Sequence, residues 1–86
     1  MFTALLDTSV LWPSLQRDFL LSLAVELLYR PVWSSAVLDE LEYEESRKLQ
    51  DPKRRALSPE MAAQRAAQLV QRMRSSFPDA EVTGWE

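Results

Sequence analysis

The chain has 86 residues, a formal net charge of −3, no cysteine, no histidine and a single glycine. That length gives one small domain; the missing residue types exclude a disulfide framework, thiolate or imidazole metal sites, and a histidine base. Any metal would be a hard cation held by oxygens, and any acid–base work would fall to Asp, Glu, Lys or Tyr. The charge is uneven. Residues 1–50 hold eight acidic and four basic side chains, and residues 51–86 hold five and six.

The first element is Phe2 to Leu11, FTALLDTSVL. Its apolar run stops at Asp7-Thr8-Ser9, the pattern of a buried strand that delivers polar groups to its C-terminal edge. In open α/β sheets ligands bind at that edge. Asp-Thr-Ser is equally good capping chemistry for a helix or turn. No basic stretch precedes the early apolar run, as a secretory signal would require, and none reaches the roughly 18 residues of a membrane span. The expected location is cytoplasmic.

Pro13 and Ser14 then start a helix running to about Tyr29. Leu15, Phe19, Leu23 and Leu27 form one stripe on it, widened by Leu20, Ala24, Leu28, Leu21 and Val25, so the helix should pack on a sheet or between layers. Arg30-Pro31 ends it, and Val32-Trp33 is a short second strand. Ser34-Ser35 caps a helix from about Ser35 to Leu49, with Val37, Leu38, Leu41, Lys48 and Leu49 on the packed side. Glu42, Glu44 and Glu45 read as solvated. Asp51 to Arg55 is a proline-broken loop whose Lys53-Arg54-Arg55 run is either solvated or a phosphate contact. Ser58-Pro59 starts a helix to about Ser76, packed through Ala62, Ala66, Leu69, Met73 and Phe77. Ala80 to Thr83 is a weak third strand. Trp12, Trp33 and Trp85 read as core or rim aromatics, with base stacking as the sharper alternative.

The order β-α-β-α-α-β predicts an α/β fold with a parallel sheet and right-handed crossovers. It would bring Asp7, at the end of the first strand, and Glu40, in the helix after the second, to one edge of the sheet. Two carboxylates there would repel each other or recruit Mg²⁺ or Mn²⁺, and Thr8 and Ser9 would add hydroxyl contacts. Taken singly, Asp7 reads equally as a cap and Glu40 as a solvated helix residue.

The segments ALLDTSVLWPSL and LYRPVWSSAVLDEL, in this order around a leucine-rich helix, with the closing SSFPDAEVTGWE, resemble the PIN domain and its bacterial toxin subgroup. The resemblance implies a three-layer α/β/α fold and a Mg²⁺- or Mn²⁺-dependent endoribonuclease of toxin–antitoxin type. Asp7 matches the family's first acidic residue and Glu40 its second, and Ser9 stands where the family has asparagine. The family's later acidic residues have no counterpart; Asp79, Glu81 and Glu86 lie in another context. The resemblance therefore implies a truncated PIN-like domain over residues 1–86, weak or inactive alone, acting on RNA, with an antitoxin protein as partner. Its first strand would be left as an apolar edge, which points to a homo-oligomer or a partner-completed fold. The alternative is a non-catalytic PIN-derived module that dimerises or holds an antitoxin-like partner. A mostly helical bundle, in which Phe2 to Leu6 is no strand, is the third reading.

Overall fold

A computed structural model describes residues 2–82. Its elements are β1 (Thr3–Leu5), α1 (Thr8–Leu11), α2 (Ser14–Val25), β2 (Arg30–Ser34), α3 (Ser35–Gln50), α4 (Pro59–Ser76) and β3 (Glu81–Val82). The strands form one parallel sheet in the order β1-β2-β3. β1 pairs with β2 at Thr3–Arg30, Ala4–Pro31 and Leu5–Val32; β2 pairs with β3 at Trp33–Glu81 and Ser34–Val82. The chain is thus α/β, as its alternating pattern predicts, and the helical-bundle reading does not hold. The third strand begins at Glu81, one residue later than expected; Thr83 and the closing Gly84-Trp85-Glu86 lie outside the described residues.

Local chemistry sets the helix ends. Ser34 and Ser58 each accept a hydrogen bond from the backbone N–H three residues on, at Val37 and Met61, which satisfies donors that the first turn leaves unpaired. Pro59 follows in the first turn, where its missing N–H is harmless. Two boundaries differ from the sequence expectation. The apolar residues after Asp7 do not continue the strand: Val10 and Leu11 belong to the one-turn helix α1, for which Asp7 is the N-cap. The leucine-rich helix stops at Val25, four residues early. Leu28 N–H donates to Leu23 C=O, Leu27 N–H donates to Ala24 C=O, and Leu27 takes φ of 61°. This is a Schellman termination with leucine where glycine is usual.

Each strand is added on the same side of its predecessor, so right-handed crossovers place the helices on one face of the sheet. Burial agrees. Leu6, Pro31 and Trp33 are buried and Ala4 packs against the core, whereas Thr3, Leu5 and Arg30 on the other face are exposed. The described residues therefore form two layers instead of the expected three. Leu11, Trp33, Leu38 and Leu41 are fully buried at the centre, with Val70 and Met73 of α4 closing over them. Phe77 meets Trp33 edge to face, with ring centroids 6.0 Å apart. The fully buried Ala62 and Ala66 leave room for the close approach of α3 and α4, the most extensively packed pair of elements.

Two expectations about exposure reverse. Most of the α2 stripe is not covered: Leu15 is 87% exposed and Phe19 62%, while Leu23 packs against the core. The buried side of α2 instead carries Arg17 and Ala24. Conversely, Glu45 is 8% exposed and not solvated. It lies between Arg17 Nη1 at 3.5 Å and Lys48 Nζ at 2.9 Å, both on the same oxygen. Lys48 also donates to Ser14 Oγ at 2.7 Å, and Arg17 Nη1 to Leu11 C=O at 3.3 Å. Sequence periodicity put Lys48 on the packed side of α3; the ion cluster is what makes that burial tolerable.

Candidate functional site

Asp7 follows the last residue that β1 hydrogen-bonds through, since Leu6 N–H donates to Val32 C=O at 2.7 Å. The parallel ladder thus brings the end of β1 beside the start of α3. One turn of α1 then presents Thr8 and Ser9. Thr8 Oγ1 donates to Glu40 Oε2 at 2.7 Å across 32 residues of sequence. Ser9 Oγ donates to Asp7 Oδ1 at 2.7 Å, and Val10 N–H donates to the same oxygen at 3.2 Å. Ser9 thus bonds Asp7, and Thr8, the residue next to Asp7 in the chain, bonds Glu40. Asp7 is at once the helix cap and the edge carboxylate, so its two readings do not compete.

The hydrogen bond from Ser9, aided by the Val10 N–H, holds the Asp7 carboxyl below the usual aspartate range. Both donors stabilise the charged form. Asp7 is exposed, so its charge is accessible from solvent.

An open cleft of about 480 Å³ lies alongside, lined by Thr8, Ser9, Asp39, Glu40 and Glu44 between Trp12 and Tyr43. Sequence reading left Asp39 unremarked and treated Glu44 as solvated. The residue positions hold the missed signal: 40 and 44 are one turn apart on α3, and 39 and 43 flank them. These carboxylates share the cleft without converging, and no group of three or more acidic side chains among the described residues could hold a metal ion. Asp7 Oδ2 and Glu40 Oε1 take no part in these hydrogen bonds. That donor set suits Mg²⁺ or Mn²⁺, which takes one or two protein carboxylates and completes its shell with water or phosphate oxygens.

The aromatics separate. Trp33 is fully buried and unavailable for base stacking. Trp12 is half-buried on the rim, with Lys48 Nζ 5.5 Å from its ring centroid. Trp85 lies outside the described residues. Glu81 pairs with Arg74 at 2.8 Å on the α4 side. No helix among the described residues is long and apolar enough to cross a membrane. Comparison with protein-family models, with curated proteins and with solved structures finds no match.

Proposed function

We propose that Asp7, Glu40 and the cleft that Glu40 lines are part of a PIN-like, divalent-metal-dependent endoribonuclease site of the toxin–antitoxin kind, and that Asp7 and Glu40 alone make a weak one. The observation that supports the reading is the Thr8 hydrogen bond to Glu40, which ties Glu40 of α3 to the residue that follows the sheet-edge Asp7. A Mg²⁺ or Mn²⁺ ion would supply Lewis acidity toward a phosphodiester. Asp7 and Glu40 are the residues that would hold it. Ser9 fixes the rotamer of Asp7 and Thr8 that of Glu40, limiting the reorganisation needed to bind. Two carboxylates are fewer than the three or four that the resemblance implies, which is why activity should be low.

The test is cleavage of single-stranded RNA over a Mn²⁺ titration, with Asp7→Asn and Glu40→Gln as variants. Slow, Mn²⁺-dependent cleavage lost in both is the expected result. Cleavage unchanged by either substitution removes that carboxylate from the site; no cleavage at any Mn²⁺ concentration leaves the second reading.

That second reading is an interaction module, favoured by the exposed apolar side chains Phe2, Leu5, Leu15 and Phe19 on β1 and α2. Side chains of this size left uncovered mark a surface for a partner or a second copy. Light scattering should then report a mass above that of one chain, returning to it in Phe19→Lys.

A further inference from the structure

A second cleft of about 480 Å³ opens where α4 meets the end of α3, and four arginines line it: Arg17, Arg55, Arg65 and Arg72. The facing residue Glu45 is the single acid in the lining, which leaves a formal surplus of three positive charges (four minus one). Glu45 is already committed, since Arg17 and Lys48 share one of its oxygens. That cluster is itself one positive charge in excess, and it is buried. Arg17 is 6% exposed, and its Nε has no hydrogen-bond partner. A buried cation without full compensation is costly, and an anion placed at the cleft wall relieves it. Arg55, Arg65 and Arg72 form no ion pair among the described residues.

We propose that this cleft binds the phosphate backbone of a single-stranded nucleic acid. Guanidinium groups match phosphate oxygens in pairs, which favours phosphate over a single carboxylate at each position. Arg65 and Arg72 lie seven residues apart on one face of α4, about 10 Å along the helix axis, a spacing that lets each meet a different phosphate of one chain. Gln68 sits between them and Gln64 beside Arg65; both line the cleft and donate without adding charge. The floor is aliphatic, with Leu49, Met61 and Leu69 and no aromatic ring, so contact with the backbone dominates and base sequence is not read. The net charge of −3 conceals this site because the acids gather on the opposite side of α3, where Asp39, Glu40 and Glu44 line the other cleft. Arg55 is also where the Lys53-Arg54-Arg55 run acquires a role; its neighbour Arg54 turns to a separate pocket with Trp12 and Asp51.

The proposal stands apart from the carboxylate cleft and is tested without metal. Fluorescence anisotropy with a labelled single-stranded RNA in EDTA should show saturable binding whose log K falls with log salt at a slope of about −2 for three phosphate contacts. Arg65→Gln with Arg72→Gln, both at exposed positions, should cut affinity about tenfold and flatten the slope to about −0.7. Circular dichroism of that variant should match the parent. Binding in EDTA is read without metal or cleavage, so failure of the nuclease reading and failure of this one give different results. The proposal is overturned by no binding in 50 mM salt, by an unchanged affinity in the double variant, by polyglutamate binding as tightly as RNA, or by inorganic phosphate displacing the RNA at equal phosphate concentration.

Discussion

Glu45→Gln isolates the buried ion cluster. The side chains of Arg17, Glu45 and Lys48 are 7%, 11% and 11% exposed, so solvent screens them little. The substitution keeps the shape of the side chain and removes its charge. Arg17 and Lys48 then face each other as two buried cations with only an amide oxygen between them. Removing one partner of a buried pair typically costs about 3–5 kcal/mol, and the retained hydrogen bond to Lys48 places the expected loss near the lower end, about 3 kcal/mol. A chain of this size has a total stability of roughly 4–13 kcal/mol, so the variant should be severely weakened or partly unfolded at room temperature. Urea unfolding followed by circular dichroism measures the change. With a slope of about 1 kcal/mol per molar, the midpoint should fall by about 3 M. A triple replacement of Arg17, Glu45 and Lys48 by Met, Leu and Met should recover most of the loss, because no charge then remains buried. A loss below about 1 kcal/mol in Glu45→Gln would refute the reasoning, since it would mean that water already screens the cluster.

Two further predictions follow from single side chains. Leu27→Gly should stabilise the chain by about 1 kcal/mol, because Leu27 holds φ of 61° while its side chain is exposed; an equal or lower unfolding midpoint would mean that Leu27 packs on something. Asp7 should titrate below the usual aspartate range by NMR, and Ser9→Ala should move it back up. The folded-state value is the depressed one, so the stabilisation from Asp7 is complete above the unfolded-state value and is lost as pH falls through the folded-state value. An Asp7 shift that ignores Ser9→Ala would assign the effect to the Val10 N–H instead.

The sequence made some of these features legible and hid others for identifiable reasons. The caps at Ser34 and Ser58 and the parallel strand order are local or topological consequences of residue type, and both were readable. The pairing of β1 with β2, which brings the end of β1 to the start of α3 and Thr8 to Glu40, follows from the same parallel order. The end of α2 was not readable: a leucine at positive φ carries no compositional signal, whereas a glycine would have. Periodicity also misassigned the exposed side of α2. It identifies an apolar stripe but not whether anything covers it, and here the polar Arg17 takes the inward position to meet Glu45. The Arg17–Glu45–Lys48 cluster joins residues 28 and 31 positions apart, so only the fold brings it together. Asp39 and Glu44 share their cleft with Glu40 through helical spacing, which could have been read from α3 alone.

β1 has three residues, one neighbouring strand and an exposed flank. Its docking rests on a few backbone hydrogen bonds to β2, among them Arg30 N–H to Phe2 C=O and Leu6 N–H to Val32 C=O. Elements held so lightly open at a free energy well below that of global unfolding, whereas the paired helices α3 and α4 open only with the whole chain. The amide proton of Leu6, which bonds Val32 C=O, should therefore exchange sooner than those of Leu38 and Leu41. Asp7 caps α1 directly after β1 and Glu40 lies on α3, so the two carboxylates proposed to act together keep their arrangement only for the fraction of time that β1 is docked. Any ligand that needs both carboxylates binds with an apparent affinity reduced by that fraction, and whatever holds β1 in place raises it without touching either carboxylate.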